Sequence, residues 1–341
     1  MNSKAIVQSA LRGESVPRVP TGPLAVHFCA GVAGYSLRDY TTHAARLAES
    51  VLRYYERFRP DAVWLSADTW VSAEALGARV GAASDQQPFG GIGEPLIQSA
   101  RDIDRLSAPD VATQGRYPLM LEALARVNAA LGRDVFIVAC FDQYPFSLAG
   151  ALMGLGNVML KAVDDPPFVT ALMERCADYA AAYAGALAAA GADMLSGGDS
   201  PAGLLGPAAY GELALPAEQK LIARIKQTTD VPVSLHICGN ATKLLPQMAA
   251  SGADVVELDH LVSLAEACRL LGPAKAIWGN LDPVGLLAQG TPAAVATACR
   301  EAVATVQAAE HPRFVLSSGC TLAMETPHAN LDAMLGSVRN P

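Results

Sequence analysis

The sequence is poor in charge. Only 17% of its 341 residues are Asp, Glu, Lys or Arg, whereas 51% are hydrophobic. Disordered chains have the opposite balance, so this composition excludes a disordered tail and predicts a large buried core. The 33 acidic residues outnumber the 25 basic ones and give a net charge of −8, which is unfavourable for a partner with a phosphate backbone. We therefore expect no nucleic-acid partner.

Long apolar runs are also missing. The most apolar stretch, residues 179–194, is rich in alanine, is interrupted by Gly185 and Gly191, and is too weak to span a bilayer. The first residues contain no apolar segment of the signal-peptide type and instead resemble a short amphipathic helix, expected within about residues 1–17. The sequence therefore predicts no membrane partner.

Cysteine is scarce and odd in number. Seven cysteines are spread along the whole chain, without the density that disulfide-stabilised domains show. We expect a reducing, cytoplasmic location, in which a thiol is free to bind a metal ion.

Short apolar runs rich in Val, Ile, Leu and Phe alternate with longer helical patterns. Such runs are typical of strands buried on both faces of a parallel sheet. Eight strands are predicted, at 22–28, 62–66, 135–140, 193–196, 232–237, 254–258, 274–278 and 313–318. The helical patterns between them include 118–131, 167–189, 206–227, 242–251, 262–271 and 292–307. Residues 70–105 fit this alternation poorly and are expected to form a long connection with a hairpin near Gly90 and Gly91.

Eight strands that alternate with helices predict an α/β fold, a (β/α)8 TIM barrel formed as one domain over residues 1–341. An open doubly wound sheet is the alternative. It is disfavoured because no Gly-x-Gly-x-x-Gly pattern follows the first strand.

Two predicted strand ends carry residues of the kind that bind zinc. His236 and Cys238 lie two positions apart at the end of strand 232–237, so both side chains point the same way. Cys320 follows the last strand, and a closed barrel brings its strand ends to one central site. One His and two thiolates leave a fourth position open, as in catalytic zinc sites.

The competing interpretation is packing, because cysteine is among the most buried residue types. It is the interpretation we favour for the thiols inside apolar patterns, namely Cys140, Cys176, Cys268 and Cys299. Cys29 follows the first predicted strand and could lie near the barrel mouth.

Several segments resemble the uroporphyrinogen decarboxylase superfamily, and specifically its cobalamin-dependent methyltransferase branch. They are residues 234–259, the run Trp278-Gly279-Asn280-Leu281-Asp282-Pro283, and Ser317-Ser318-Gly319-Cys320 with Glu325-Thr326-Pro327 and Asn330 downstream. Gly198-Asp199-Ser200 and residues 204–215 also resemble that family. The similarity is strongest after residue 190 and weak before about residue 60.

This resemblance implies a (β/α)8 barrel in which His236, Cys238 and Cys320 bind Zn²⁺. It further implies that the zinc activates a thiol acceptor for a methyl group carried by methylcobalamin. The sequence has no Asp-x-His-x-x-Gly corrinoid-binding pattern, so we expect the corrinoid to arrive on a separate corrinoid protein. The direction of transfer and the small-molecule methyl donor or acceptor stay open.

Two alternative functions are compatible with parts of the sequence. A uroporphyrinogen decarboxylase binds a substrate with eight carboxylates and needs arginines after its Arg-Val-Pro motif. Here Arg18-Val19-Pro20 is followed by no arginine before Arg38, which argues against that activity. A barrel that has lost its chemistry and only binds a corrinoid protein is the second alternative, and the intact His-Cys-Cys set speaks against it.

Other polar residues follow predicted strands. Glu257 and Asp259 are candidate catalytic residues, either as a fourth zinc ligand or as groups that orient His236. Candidates for binding substrate or corrinoid are Asp199, Asn280, Asp68 and Tyr144. Trp70 and Asp142 could also line the mouth, although each of these residues equally suits a structural role in a turn or cap.

Overall fold

Parallel strands and helices alternate along the chain. A computed structural model describes residues 1–81 and 86–339, and within them seven parallel strands form one curled sheet in chain order. The strands are β1 Ala62–Leu65, β2 Phe136–Gln143, β3 Met194–Gly198, β4 Ser234–Ile237, β5 Val255–Leu258, β6 Ala276–Leu281 and β7 Phe314–Ser318. Each corresponds to one of the apolar runs identified in the sequence.

Helices cover the outside of this sheet and one end of it. They are α1 Ser3–Arg12, α2 Phe28–Ala33, α3 Leu37–Thr42, α4 Ala44–Phe58, α5 Val71–Ala75, α6 Ala100–Arg105, α7 Tyr117–Leu131, α8 Pro145–Met153, α9 Leu155–Asp164, α10 Pro166–Ala189, α11 Gly206–Ala209, α12 Leu215–Thr228, α13 Leu245–Ala250, α14 Leu264–Leu271, α15 Pro292–Ala308 and α16 His328–Arg339. Short 3₁₀ turns span Ser200–Leu205 and Thr242–Leu244, and π turns span Tyr210–Ala214 and Pro283–Ala288.

Residues 20–22 close the sheet between β7 and β1. Thr21 forms a parallel bridge with Leu316 of β7, whose backbone N–H donates to Pro20 O at 2.9 Å. On the other side, the N–H groups of Asp61 and Ala62 both donate to Thr21 O at 3.0 Å. The predicted barrel class is therefore confirmed, as a TIM-barrel-like ring.

The predicted first strand at 22–28 is wrong. Residues 22–28 form no strand or bridge; a single bridge lies just before them, at Thr21, and α2 begins at Phe28. One cause is local and the other is distant. Pro23 has no N–H to donate to a ladder. The carbonyl of Gly22 is already used by side chains from three separate strands.

Those side chains form the floor of the barrel. The indole N–H groups of Trp64 and Trp278 donate to Gly22 O at 3.2 and 2.8 Å, and the Ser317 hydroxyl donates to it at 2.9 Å. The two indoles meet edge to face with centroids 5.9 Å apart. A Cβ on residue 22 would lie 2.2 Å from the Trp278 ring, so the floor requires glycine there.

The barrel interior changes from apolar to polar along the strands. Its amino-terminal half is a buried cluster, which α1 closes from below; the cluster comprises Val7, Leu11, Leu24, Val26, Ala62, Trp64, Phe136, Val138, Met194, Val255, Ala276, Trp278 and Val315. Alternate residues of a strand face the same side. Two positions after Val138, Met194 and Val255, the same face carries Cys140, Ser196 and Glu257. The apolar layer therefore supports a polar layer at the carboxyl ends.

The long connection after β1 contains α5 and α6, as expected. Gly81 and Phe89 exchange two antiparallel backbone hydrogen bonds of 2.8 and 3.1 Å just before Gly90 and Gly91, and residues 82–85 between them lie outside the described residues.

No single described helix is long and apolar enough to cross a membrane. The pair Pro145–Met153 and Leu155–Asp164 meets the length and composition only when taken together, and it is bent by 112°.

Asp61 anchors the closing segment. Its carboxylate is fully buried and accepts both terminal N–H groups of Arg18 at 2.6 Å, the Ser3 hydroxyl at 2.7 Å and the Thr21 N–H at 2.9 Å. Burial alone would raise the pKa of Asp61, but these bonds outweigh it and lower the pKa below its usual value. Its contribution to stability is therefore present at neutral pH and is lost as the pH falls through that lowered pKa.

Replacing Asp61 by Asn should destabilise the barrel strongly, because Arg18 would lose its charged partner in a buried setting. We expect a loss of about 3–5 kcal/mol in the free energy of unfolding, measured with urea at pH 7. Asp332→Asn is the matched control, because Asp332 also accepts hydrogen bonds from both terminal nitrogens of an arginine, Arg57. In this pair, however, each side chain is 46% exposed. It should cost less than about 1 kcal/mol. Equal losses in the two variants would contradict an anchoring role for Asp61.

Candidate metal centre and active site

Three donor atoms meet at the carboxyl ends of β4 and β7. His236 lies in β4, Cys238 follows it directly after the strand, and Cys320 follows β7. The distance from His236 Nε2 to Cys238 Sγ is 3.0 Å, and that between the two Sγ atoms is 3.9 Å. All three donor atoms lie within 4.8 Å of one another. The residues proposed from the sequence as ligands are thus brought together, although β5 and β6 separate their strands.

The histidine ring is oriented for this arrangement. Nδ1 of His236 lies 3.2 Å from the backbone carbonyl of Glu257, which fixes the ring proton on Nδ1 and leaves the Nε2 lone pair toward the thiols. Burial alone would lower the pKa of His236, but the Cys320 thiol and the Glu257 carboxylate raise it overall. An oriented imidazole and two thiols form a donor set that fits Zn²⁺.

The two thiols have opposite pKa shifts. The hydrogen bond with Cys320 lowers the pKa of Cys238 to about 7 and raises that of Cys320 to about 12. The Cys238 N–H also donates to Ser200 Oγ at 3.0 Å, which fixes the backbone that carries this thiolate. One thiol of the pair is therefore ready to act as an anionic ligand near neutral pH.

Glu257 lies beside the histidine, on the side away from the thiols. Its Oε1 accepts hydrogen bonds from the hydroxyls of Ser196, at 2.7 Å, and Ser234, and its Oε2 lies 4.0 Å from His236 Nδ1. The carboxylate faces Nδ1, so it is not a fourth donor on the Nε2 side in this arrangement, and the ring is oriented by the backbone carbonyl of Glu257. Sequence reasoning missed Ser196 and Ser234; Ser234 lies two positions before His236, a spacing that places both on one face of β4.

Asp259 ties the loops after β4 and β5 together. Its carboxylate accepts the N–H of Gly239 at 2.8 Å and that of Leu261 at 2.9 Å. The Asn280 amide donates to Asp259 O at 3.1 Å and to Val262 O at 2.8 Å. Both residues were candidates for catalysis or binding, and the structure gives their side chains backbone partners that shape the rim of the site.

Asp199 and Tyr144 are buried behind the site. Asp199 Oδ1 accepts the N–H and hydroxyl of Ser147 at 2.7 and 2.6 Å, and burial raises the pKa of Asp199 to about 6. The Tyr144 hydroxyl donates to Ser234 O at 2.8 Å. Neither side chain lines the cavity described below, so the structure connects them to strand and helix positions and not to a substrate.

A cavity of about 340 Å³ opens directly above the indole floor. His236, Cys238 and Cys320 form one wall, and Asp68 and Asp142 belong to the opposite part of the lining, with Trp64 below. The size suits a small organic molecule. Asp68, a proposed binding residue, accepts from the guanidinium of Arg116 and from the Trp70 N–H at 2.7 Å.

A model of the uroporphyrinogen decarboxylase family matches residues 2–341. The chain therefore belongs to the uroporphyrinogen decarboxylase family, and the family resemblance seen in the sequence is confirmed.

Within that family the chain is similar to two proteins named methylcobamide:CoM methyltransferase MtbA. The one from Methanosarcina acetivorans is 32% identical over 286 residues, which cover 82% of this chain and 80% of the relative; the one from Methanosarcina mazei is 31% identical with the same coverage. The uroporphyrinogen decarboxylase of Frankia casuarinae is 33% identical over 262 residues, covering 75% and 68%. The predicted resemblance to the cobalamin-dependent methyltransferase branch is thus confirmed, beside relatives from the decarboxylase branch.

A solved structure described as a methyltransferase from Methanosarcina mazei superimposes with a TM-score of 0.89 at 24% identity, covering 99% of this chain and 98% of the other. This similarity confirms the fold.

The close contact at Gly319 generates a prediction about the Cys320 loop. A Cβ at Gly319 would lie 2.5 Å from the backbone N of His260, so Gly319→Ala must displace one of the two loops. We expect a loss of about 1–3 kcal/mol in unfolding free energy, measured with urea. Gly336→Ala is the control, because nothing lies within 4 Å of its Cβ in α16, and it should be neutral or slightly stabilising. Similar losses in the two variants would contradict the tight packing at Gly319.

Proposed function

We propose that this protein is a zinc-dependent methyltransferase. It moves a methyl group between methylcobalamin, carried on a separate corrinoid protein, and a small thiol or another methyl donor or acceptor. The observation that carries the proposal is the His236–Cys238–Cys320 donor set, open to a cavity of small-molecule size, in a chain that resembles the methylcobamide methyltransferases.

In this proposal His236 Nε2 and the two sulfur atoms hold the metal, and the cavity side of the group is left for the substrate. Zinc bound there would lower the pKa of a substrate thiol, so that the thiolate predominates at neutral pH. Glu257 keeps the imidazole in the tautomer that binds through Nε2. Asp259 and Ser200 hold the Cys238 loop, and the apolar floor restricts water around the reacting sulfur.

In the forward direction a substrate thiolate attacks the methyl carbon of methylcobalamin in line with the cobalt. A C–S bond forms, the Co–C bond breaks, and the electron pair of that bond stays on cobalt, giving a thioether and cob(I)alamin. The reverse direction would transfer the methyl group of a methylated substrate to cob(I)alamin, and there the metal would polarise the leaving heteroatom. Both directions require the corrinoid to meet the open face of the site.

Exposed apolar side chains around the mouth support docking of a corrinoid protein. Large hydrophobic residues are normally exposed singly, and a group of them indicates an interaction surface. Five exposed large hydrophobic residues lie in the connections that follow strands: Ile92 after β1, Leu155 after β2, Leu204 after β3, Leu261 after β5 and Val284 after β6, exposed by 37–65%. The cytoplasmic location, inferred from the free thiols, stays a prediction.

The alternative function is decarboxylation of a porphyrinogen, favoured by the decarboxylase relatives. It would require cations for the substrate's carboxylates, and the described lining of the cavity contains neither Lys nor Arg. A non-catalytic partner of a corrinoid protein is the third possibility, and the donor set argues against it because its geometry serves no evident packing purpose.

Metal analysis tests the first step of the proposal. Protein expressed with zinc supplied should contain about one zinc per chain by elemental analysis, since three donor atoms and a fourth open position form one site. Cys320→Ser should lower zinc affinity by more than the roughly 10–100-fold typical of losing a supporting group. Cys140→Ser is the matched control, because Cys140 lines the same cavity outside the donor group, and it should bind zinc normally. Absence of zinc affinity in the parent protein would refute the proposal.

A second measurement separates the alternatives. Methylcobalamin and a panel of thiols should yield cob(I)alamin and thioethers with the zinc-loaded parent and with Cys140→Ser, but not with Cys320→Ser. Loss of carboxyl groups from uroporphyrinogen, without methyl transfer, would instead establish the decarboxylase alternative.

A further inference from the structure

The described lining of the cavity contains carboxyl groups but no Lys or Arg. Among the described residues that line the cavity, the acids are Asp68, Asp142 and Glu257, and no Lys or Arg is present. The omitted residues 82–85, Ala-Ala-Ser-Asp in the sequence, contain none either. His27 also lines the cavity, but burial lowers its pKa, so it is neutral at pH 7.

Asp142 differs from the other two acids. Glu257 has two serines on Oε1 and the His236 ring 4.0 Å from Oε2, and Asp68 is paired with Arg116, whereas one oxygen of Asp142 has neither a hydrogen bond nor an ion pair among the described residues. Its Oδ2 accepts the N–H and hydroxyl of Ser72 at 2.8 and 2.9 Å, and its Oδ1 has no partner among the described residues. The side chain is 2% exposed, and its backbone has φ +71°, a conformation that few residues other than glycine adopt.

Buried polar atoms are normally hydrogen-bonded, and strained backbone persists where the surroundings enforce it, often at binding sites. We infer that Asp142 binds the polar end of the small-molecule substrate, and that this end is neutral or positively charged, not anionic. The inference rests on the proposed function and assigns a substrate class to the same site. It separates this chain from relatives named for coenzyme M, which is the anionic thiol 2-mercaptoethanesulfonate.

Among the described residues that line this cavity, none offers a Lys or Arg cation to such a sulfonate. Arg116, whose charge acts on Asp142, is engaged by both Asp68 and Glu74. Arg79 lines an adjoining cavity, together with Glu94. An anion entering beside Asp142 would lose its hydration without gaining a counter-charge, whereas an ammonium group would gain one once Asp142 has lost its proton.

The groups that face Asp142 determine its response to pH. They are Asp68, Arg116, Ser72, Cys140, Tyr117 and Tyr183. Burial, and secondarily the charge of Asp68, raise the pKa of Asp142 to about 8. The free protein therefore carries a protonated Asp142 at pH 7, and an ammonium ligand must displace that proton. Its affinity should rise with pH up to about 8 and then level off, whereas the affinity for a neutral ligand should not rise.

The test uses three thioethers of equal length, which have no titrating thiol: 2-(methylthio)ethylamine, 2-(methylthio)ethanol and 2-(methylthio)ethanesulfonate. Their dissociation constants are measured by calorimetry at pH 6, 7 and 8.5, with and without zinc. We expect the amine and the alcohol to bind at least about tenfold tighter than the sulfonate at pH 8.5, with only the amine gaining affinity as the pH rises. Tightest binding of the sulfonate would overturn the inference without any variant.

Asp142→Asn assigns the effect to this residue. Asn accepts the same Ser72 hydrogen bonds and tolerates positive φ, so the fold should be retained. The variant should lose about tenfold in affinity for the amine, together with its pH dependence, and little for the alcohol. Asp332→Asn, far from the cavity, is the charge-matched control and should behave like the parent. An unchanged amine affinity in Asp142→Asn would overturn the assignment.

Failure of this inference is distinguishable from failure of the proposed function. Methyl transfer from methylcobalamin to 2-mercaptoethanesulfonate faster than to 2-mercaptoethanol or cysteamine would leave the methyltransferase intact and refute the substrate class. Absence of transfer to every thiol would refute the thiol methyltransferase, whereas the thioether affinities would still decide whether Asp142 selects by charge.

Discussion

The hydrogen bonds to the carbonyl of Gly22 hold the barrel closed. Two indoles and a hydroxyl, from β1, β6 and β7, converge on this one acceptor, and they can do so because residue 22 has no side chain. Without closure the ends of β4 and β7 would lie at separate places on an open sheet. With it, two sulfur atoms 82 residues apart approach to 3.9 Å. The three donor residues can therefore meet at one site only because the ring is closed.

The polar layer depends on the apolar layer beneath it. Because alternate strand residues face inward, each strand can present an apolar side chain low in the barrel and a polar one above it, as Val255 and Glu257 do in β5. Burial then raises the pKa of Glu257, and the serine hydroxyls and the nearby imidazole partly offset that effect. The same low-polarity floor that stabilises the fold makes each unpaired polar group above it energetically costly. The hydrogen-bond partners of each acid therefore indicate its role.

The sequence predicts those features whose causes are local. Apolar runs identify β1 to β7, and the spacing of His236 and Cys238 predicts a shared face; the predicted barrel adds Cys320, which follows the last strand. The strand expected at 22–28 fails because the Gly22 carbonyl is occupied by tryptophans 42 and 256 positions away. The loop-supporting role of the Asn280 side chain also depends on distant partners. Its amide donates to backbone carbonyls of Asp259 and Val262, which no local pattern predicts. Pairings over such separations become apparent only in three dimensions.

The three acids of the cavity show how one residue type takes different roles. Glu257 contacts His236 through its backbone carbonyl, and its carboxylate is held by two serines, so this residue helps to orient the His236 ring. Asp68 forms an ion pair with Arg116, so its charge is already compensated within the protein. Asp142 has one oxygen fixed by Ser72 and one without a partner among the described residues, so it retains capacity for a bound molecule. In the proposed function, the thiols on one wall would define the reacting end of the substrate, and the acid on the opposite wall its other end.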